Sequence, residues 1–291
     1  MIIKGKLAKI EVGDLVNTRL MGIINLSPTS YFKKSIKLSE KEIQSYLESI
    51  IADGAEFVDV GAVSSAPTFL YANSEAVSTS TEIDRLSLFF NVYNEMQVDI
   101  PVSVDTQSSK TAEYALSQGA LVINDISGFK SDPKLPHIVS EYSASAIIMA
   151  CNRVPGDVFK LSDIISELKK SLTIGVQAGI ENRSLIIDPG FGGWVPQRQA
   201  SDDFQIINQL KKLRALEHCI LLGISRKSFI GKILNAPPEK RLIGSLAATA
   251  IAILNGAHII RTHDVKETKE VCLISDYLKK LREKAGLDNS D

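Results

Sequence analysis

Short apolar segments alternate along this chain with longer segments in which apolar residues recur every three or four positions. The apolar segments are rich in Ile, Val and Leu and show little polar alternation. That pattern is typical of parallel strands, which are buried on both faces of the sheet. Eight strands are predicted in this way, at Leu20–Leu26, Glu56–Gly61, Pro101–Asp105, Leu121–Ile126, Ala146–Cys151, Ser184–Pro189, Cys219–Ser225 and His258–His263.

The segments between these strands predict amphipathic helices. Ser39 followed by Glu42 has the spacing of a capping box, and the pair Asn255-Gly256 is a typical helix end. The clearest helices are Ser39–Asp53, Ser108–Gln118, Ser162–Ala178, Asp202–Leu213, Arg241–Asn255 and Val265–Lys284.

Repeated strand–helix units predict an α/β protein whose strands close into a (β/α)₈ or TIM barrel. We expect residues 1–291 to form one such domain, because no linker, repeat or low-complexity segment interrupts the pattern. Residues 1–18 precede the first barrel strand and predict a small cover, such as a hairpin beneath the barrel. Residues 286–291 are short and polar, and we expect them to be a frayed tail.

Charge and composition restrict the kinds of molecule that we expect this protein to bind. The net charge of −1 provides no overall field that would attract nucleic acid or an anionic membrane. No apolar run reaches the roughly 18 residues of a membrane span, and the first residues do not resemble a secretory signal. Three widely spaced cysteines favour free thiols in a reducing compartment. We therefore predict a cytoplasmic protein that binds neither nucleic acid nor membrane, and that holds any anionic substrate with local cations.

Polar residues collect where the predicted strands end, which in this fold is the face that carries the chemistry. Taken singly, each residue is as well explained as a helix cap or a solvated loop charge. Caps do not require Arg, Lys and His at neighbouring strand ends, so the set as a whole indicates an active site. Its members are Asn25, Asp59, Asp105, Asn124, Asp125, Asp188, Ser225, Arg226, Lys227, Arg261, Thr262, His263 and Asp264.

This rim has two chemical parts. Asp105, Asn124 and Asp188 offer carboxylate and amide groups that suit the amine and lactam edges of a planar heterocycle. The second part is basic and suits a phosphate or diphosphate, since this fold often binds phosphate near its last two strands. The basic part comprises Ser225, Arg226, Lys227, Arg261 and His263.

The same residues lie in motifs that resemble those of the dihydropteroate synthases, in the same order along the chain. The resemblance spans about residues 20 to 270. The motifs are MGIINLSPTSYF (Met21–Phe32), SVDT (Ser103–Thr106), INDISG (Ile123–Gly128), DPGFG (Asp188–Gly192), SRKSFIG (Ser225–Gly231), GSLAATAIAILNGA (Gly244–Ala257) and RTHDVKET (Arg261–Thr268).

The resemblance implies a TIM barrel and a transferase. The family joins 6-hydroxymethyl-7,8-dihydropterin diphosphate to 4-aminobenzoate and releases pyrophosphate, as one step of folate biosynthesis. It implies that Ser228 lies near the aminobenzoate and that Asn25 contacts Mg²⁺ as well as the diphosphate. It also implies a homodimer. The remaining assignments place the pterin at Asp105, Asn124, Asp188 and Lys227, and the diphosphate at Asn25, Arg261 and His263, with Lys227, Arg261 and His263 as the catalytic residues.

Two loops depart from the family pattern. In the loop after the first strand, Thr29 stands in place of an acid, and Lys33-Lys34-Ser35 stands in place of an acid and two glycines. In the loop after the second strand, Val63 stands in place of Glu and Ala66 in place of Arg. The pterin residues are retained, whereas the parts that meet the second substrate differ. Farther along, Gly193-Trp194-Val195 replaces Phe-Gly-Lys, and Trp194 either covers the pocket or packs in the core.

These departures leave three alternatives open. Lys33 and Lys34 would meet a phosphate if the amine were a modified aminobenzene of the tetrahydromethanopterin type, or they are simply solvated. The loss of an Arg at Ala66 would also fit a pterin-binding paralogue without activity. A methyl transfer to a corrinoid uses the same barrel, but the basic residues Arg261 and His263 suit a diphosphate better than a methyl group.

Overall fold

The computed structural model describes residues 2–28, 36–63 and 77–285. Ten strands are present there: β1 (Lys4–Leu7), β2 (Ile10–Gly13), β3 (Arg19–Asn25), β4 (Phe57–Gly61), β5 (Val102–Asp105), β6 (Val122–Asp125), β7 (Ser145–Met149), β8 (Leu185–Asp188), β9 (Leu221–Leu222) and β10 (Ile259–Thr262). Strands β3 to β10 form a parallel sheet in the order β8-β7-β6-β5-β4-β3-β10-β9. A bridge between Ile187 and Ile220 joins the two ends of the sheet. The predicted eight-stranded barrel is therefore confirmed.

Helices follow the barrel strands and cover the outside of the sheet. The described helices are α1 (Glu40–Ala52), α2 (Thr79–Met96), α3 (Ser109–Ser117), α4 (Leu135–Glu141), α5 (Leu161–Gln177), α6 (Ala200–Asn208), α7 (Ser228–Leu234), α8 (Leu242–Leu254) and α9 (Val265–Lys284). All six helices predicted from the sequence are present. The segment Asp202–Leu213 is divided, however, because α6 ends at Asn208 and a 3₁₀ helix runs from Leu210 to Leu216.

Local signals fix the ends of these helices. Ser39 caps α1, and its Oγ accepts a hydrogen bond from the Glu42 amide at 3.4 Å. The Glu42 carboxylate accepts from the amide of Leu38 at 3.2 Å, one residue earlier than in a standard capping box. At the end of α8, Gly256 has a φ of +103°, a conformation that suits glycine.

The hairpin β1–β2 closes the amino-terminal end of the barrel, within the segment for which the sequence predicts a cover. Leu7 and Val12 of the hairpin pack against Met21 and Phe57, which lie near the starts of their strands. The amide of Ala8 donates a hydrogen bond to the Ser145 hydroxyl at 2.9 Å. The interior of the barrel at this end is therefore a closed apolar core, and the polar residues predicted to form the site lie at the other end.

An ionic cluster joins this hairpin to the last strands. The Asp14 carboxylate accepts hydrogen bonds from the amide of Ile3 at 2.7 Å and from both terminal nitrogens of Arg214 at 2.9 and 2.7 Å. His258 lies 3.2 Å from the same carboxylate. These hydrogen bonds hold the pKa of Asp14 well below its usual range, although burial alone would raise it. The cluster thus fastens the cover to the barrel.

Some of the features predicted from sequence lie outside the described residues. They are Thr29, Lys33, Lys34, Ala66 and the tail 286–291. The hypotheses that rest on Lys33, Lys34 and Ala66 stay predictions. Within the described ranges, all three cysteines are buried free thiols, and none of the helices has the length and apolar composition that a membrane span requires.

We predict that the substitution Leu7→Ala destabilises the protein by about 2–5 kcal/mol, because it leaves a cavity beneath the barrel. Leu7 is fully buried, whereas Ile2 is 61% exposed. Urea denaturation followed by circular dichroism measures the effect, and Ile2→Ala serves as the matched control, with an expected change within about 0.5 kcal/mol. Equal effects of the two variants would show that the hairpin contributes no specific packing.

Candidate active site

A buried carboxylate, that of Asp59, organises the polar end of the barrel. Asp59 lies in the middle of β4 and is fully buried. It accepts hydrogen bonds from the Ser103 hydroxyl at 2.5 Å and from the Asn124 amide at 3.2 Å. Its Oδ2 also accepts from Nε of Arg261 at 2.6 Å. One carboxylate therefore connects β4, β5, β6 and β10.

Arg261 also faces a second carboxylate, that of Asp105. Its Nη2 lies 3.5 Å from Oδ2 of Asp105, at the end of β5. Burial raises the pKa of Asp105 to about 7, an effect that the nearby Asp59 carboxylate strengthens and Arg261 opposes. Asp105 is therefore close to its midpoint of titration at neutral pH.

Lys227 and Asp188 form the opposite side of the site. Asp188 ends β8, and its Oδ1 accepts a hydrogen bond from the amide of Gly190 at 2.7 Å. Burial raises the pKa of Asp188, and Lys227 is the main charge that opposes this. Burial likewise lowers the pKa of Lys227 to about 8, against the attraction of Asp188. Each group thus stabilises the charge of the other in a poorly solvated site.

Two glycines make room for the Lys227 side chain. A Cβ on Gly192, whose φ is +102°, would lie 3.3 Å from Cδ of Lys227. A Cβ on Gly223 would lie 3.9 Å from both Nζ of Lys227 and Cδ of Arg261. The two cationic side chains therefore meet over Gly223, at the mouth of the barrel.

Trp194 forms a wall beside Lys227. Its ring centroid is 5.5 Å from Nζ of Lys227, a cation–π distance, and its Nε1 donates to the Phe191 carbonyl at 2.6 Å. The backbone of Gly156 lies so close that a Cβ there would be 2.0 Å from Cβ of Trp194. Of the two sequence interpretations, a residue that covers the site fits this position better than a core residue.

His263 and Arg226, two members of the predicted basic part, do not act in the free protein as simple cations that face the site. His263 is buried, and its Nδ1 lies 3.0 Å from the Ser225 hydroxyl. Burial, together with the positive charges of Arg261, Arg226 and Lys227, lowers its pKa well below 6.5. His263 is therefore neutral at pH 7. The guanidinium of Arg226 is paired with a carboxylate, since it donates to Asp264 at 2.8 and 2.7 Å.

The last two predicted residues lie at the edges of the site. Asn25 ends β3, and its Oδ1 lies 3.6 Å from the position that a Cβ on Gly61 would take, with Cβ of Asp105 at 3.9 Å from the same point. Ser228 is the first residue of α7, and its hydroxyl accepts a hydrogen bond from the Gly193 amide at 3.1 Å. The structure therefore brings the predicted site residues to one end of the barrel.

Sequence reasoning missed two ion pairs that shape this site. Asp59 is read from the sequence as a rim residue at a strand exit, but it lies inside the barrel. A charge within the apolar run FVDVG is itself a signal, because a buried carboxylate needs a partner. The second pair, Arg198 with Asp203, is fully buried at 2.6 Å. Nothing in the local sequence indicates it.

The Arg198–Asp203 pair supports the loop that follows Asp188. Arg198 Nη2 donates to the Gly190 carbonyl at 2.6 Å, and Asp203 Oδ1 accepts from the Gly192 amide at 3.0 Å. Both glycines adjoin groups of the site, since Gly190 bonds Asp188 and Gly192 faces Lys227. The pair therefore holds in place the loop that carries these glycines.

Comparison with known proteins identifies the family of this chain. A family model described as "Pterin binding enzyme" matches residues 21–263. The chain belongs to this family of pterin binding enzymes.

Relatives of this chain include dihydropteroate synthases from several bacteria. The Clostridium beijerinckii dihydropteroate synthase is 35% identical over 264 residues, which cover 90% of this chain and 94% of that protein. A Coxiella burnetii dihydropteroate synthase in complex with pteroic acid superposes with a TM-score of 0.83 at 32% identity, over 96% of this chain and 99% of that one. A Xanthomonas albilineans dihydropteroate synthase with 4-aminobenzoic acid gives a TM-score of 0.82 at 27% identity, over 96% and 99% of the two chains.

We predict that pterin affinity rises with pH up to about 7, because only the ionised Asp105 accepts two hydrogen bonds from a pterin. The carboxyl has a raised pKa, so it loses its charge as the pH falls through about 7. Affinity for 6-hydroxymethylpterin should then fall by about tenfold per pH unit. Calorimetric titration between pH 5 and 7.5 measures it. The variant Asp105→Asn should bind more weakly and without this pH dependence, and a flat profile for the unmodified protein would contradict the assignment.

Proposed function

We propose that this chain joins 6-hydroxymethyl-7,8-dihydropterin diphosphate to 4-aminobenzoate and releases pyrophosphate. The observation that carries the proposal is the pairing, at one barrel mouth, of buried carboxylates with the cations Lys227 and Arg261. Its relatives are dihydropteroate synthases, which are transferases.

The pterin ring fits the carboxylate and amide part of the site. Asp105 and Asp188 each accept hydrogen bonds from ring N–H groups when ionised, and Asn124 supplies both a donor and an acceptor. Lys227 donates to a ring acceptor and lies opposite Asp188. Because Asp59 already holds the Asn124 amide at 3.2 Å, the orientation of that side chain is set before the pterin binds.

The diphosphate fits the cationic part. Arg261 is held by Asp59 and Asp105, so its guanidinium is fixed at the barrel mouth without rearrangement. His263 is neutral in the free protein and takes up positive charge more readily once an anion lies beside it. Asn25 lies at the edge of the same region.

The described residues also fit a magnesium ion. They contain no cluster of three or more His, Cys, Asp or Glu that could hold a metal by itself. Mg²⁺ commonly binds through one or two protein oxygens and the phosphates of its substrate. The Asn25 amide oxygen, at the end of β3 and near Asp105, would be such a ligand. When bound there, Mg²⁺ would neutralise charge on the departing diphosphate.

The reaction then needs charge stabilisation and little acid–base chemistry. The bond between the pterin methylene carbon and the diphosphate oxygen breaks, and its electron pair leaves with pyrophosphate. The lone pair of the aryl amine forms the new C–N bond, and the amine loses its extra proton to water. Arg261 and His263 stabilise the leaving group, and Asp105 and Asp188 hold the pterin whose methylene becomes electron-poor.

An exposed apolar surface supports assembly into a homodimer. It is formed on α9 by Leu273, Ile274, Tyr277, Leu278 and Leu281, which recur at helical spacing, and α8 adds Ile251. A contiguous apolar stripe of this kind marks an interface, and a twofold axis would place it against its own copy. We also place the protein in the cytoplasm, which the three buried free thiols support.

We predict that Lys227→Ala and Arg261→Ala each abolish measurable pyrophosphate release, a loss of at least about 10²-fold, because each removes a cation from the site. Release from the pterin diphosphate is measured with 4-aminobenzoate and Mg²⁺, and chelation of the metal should stop it.

Lys212→Ala and Arg183→Ala provide matched controls for this assay. Both side chains are exposed, Lys212 in the 3₁₀ helix Leu210–Leu216 and Arg183 just before the start of β8, so activity should stay within about twofold of the unmodified protein. Normal turnover by Lys227→Ala or Arg261→Ala would overturn the site assignment. Tight pterin binding without release on any amine would favour a silent pterin-binding protein.

We predict that Ile274→Asp produces a monomer, because it places a charge in the proposed interface. Light scattering after size-exclusion chromatography gives the mass, and the unmodified chain should elute as a dimer. Val176→Asp is the matched control, since Val176 is a 47% exposed residue on α5 and should not affect assembly. A dimer that tolerates Ile274→Asp would place the interface elsewhere.

A further inference from the structure

A pocket of about 550 Å³ opens beside Ser228 and extends along α7. We propose that this pocket binds an anionic extension of the arylamine substrate, attached at the end of the ring opposite the reacting amino group. The inference rests on the proposed function, because Ser228 is the residue expected near the aminobenzoate. It extends the substrate class from 4-aminobenzoate to arylamines that also carry a carboxylate or phosphate beyond the ring.

The pocket begins at the edge of the active site. Ser228 directly follows Lys227, and its hydroxyl accepts a hydrogen bond from the Gly193 amide at 3.1 Å. Gly193 is the neighbour of Trp194, whose ring contacts Lys227. A hydroxyl that accepts one hydrogen bond can still donate one to a carboxylate. A substrate group that reaches Ser228 therefore lies at the entrance of the pocket.

The floor of the pocket is built by a glycine and an arginine. A Cβ on Gly231 would lie 2.2 Å from Nε of Arg241, so only glycine lets the guanidinium pack against α7. Arg241 is then fixed by two carbonyls: its Nε donates to Ala236 at 2.8 Å and its Nη1 to Arg226 at 3.0 Å. Its positive charge remains at the pocket, because carbonyl groups do not neutralise it.

The far wall carries a second cation. Lys232 lies one helical turn after Ser228, on the same face of α7, and is exposed. Asn235 ends the helix in a left-handed conformation with a φ of +48° and adds an amide. Among the described residues that line the pocket, none is acidic. Two cations and two neutral polar side chains without a carboxylate favour an anion.

The pocket is open to solvent, and its volume of about 550 Å³ leaves room for a group larger than a single carboxylate. With the carboxylate of 4-aminobenzoate placed at Ser228, the part of the pocket lined by Lys232 and Arg241 is left for additional atoms. A glutamyl group joined through an amide, or a phosphate on a short linker, carries the negative charge that these two cations favour.

The experiment compares four amines in the pyrophosphate-release assay. They are 4-aminobenzoate, N-(4-aminobenzoyl)-L-glutamate, 4-amino-N-(2-phosphonoethyl)benzamide and the neutral 4-amino-N-butylbenzamide. We expect both anionic extended amines to be used, and the preferred one identifies the anion, carboxylate or phosphate, that the pocket binds better. We expect the KM of the neutral extended amine to be about three- to tenfold higher than the KM of the anionic extended amines.

Two variants test the pocket itself. Lys232→Glu should raise the KM for the anionic extended amines by about three- to tenfold and leave that for 4-aminobenzoate within twofold. Ala236→Trp should fill the pocket and exclude every extended amine. Unchanged turnover of 4-aminobenzoate shows that each variant is folded, so a selective loss reports on the pocket alone.

The outcomes separate this inference from the proposed function. Equal KM values for the charged and neutral extended amines, or variants that leave the extended amines unaffected, would overturn the anion pocket while the synthase activity stands. If no amine supports release, the proposed function fails. Calorimetry then tests the anion pocket by measuring how tightly N-(4-aminobenzoyl)-L-glutamate binds to the unmodified protein and to Lys232→Glu. Weaker binding to the variant supports the pocket, and equal or absent binding overturns it.

Discussion

The ion pair between Arg261 and Asp59 is the interaction on which the polar end of the barrel depends. Asp59 is fully buried inside a sheet of apolar strands, where an unpaired carboxylate would cost several kcal/mol. Arg261 supplies the compensating charge at 2.6 Å, and Ser103 and Asn124 satisfy the remaining acceptor sites. Asp59 therefore holds the guanidinium of Arg261 and the amide of Asn124 in the free protein. The rotamer freedom of these side chains is then lost on folding and does not have to be lost when substrate binds.

The protonation states of the groups around this ion pair can change when a ligand binds. Burial raises the pKa of Asp105 and Asp188 and lowers that of Lys227 and His263, so each group is shifted toward its neutral form. A pterin with N–H donors favours the ionised carboxylates, and an anionic diphosphate favours protonated Lys227 and His263. Binding of the pterin ring therefore changes the charges that the diphosphate meets, and binding of the diphosphate changes the charges that the pterin meets.

Interactions away from the mouth hold the loops that carry these groups. Arg198 and Asp203 brace the loop between Gly190 and Gly192, and Arg226 pairs with Asp264 beside the last strand. The apolar hairpin at the opposite end closes the core. Loops alone would be mobile, whereas loops joined by buried ion pairs present Asp188, Lys227 and His263 in defined positions.

The sequence by itself determined the eight strands, the order of the helices and nearly all the residues at the barrel mouth. Strand burial, helix period and the position of polar residues at strand ends are local properties that one chain displays directly. Only the tertiary structure showed that Asp59 lies inside the barrel, that Arg198 pairs with Asp203, and that His263 is neutral. These depend on which side chains meet across strands and loops far apart in sequence, and on how much water the folded site excludes.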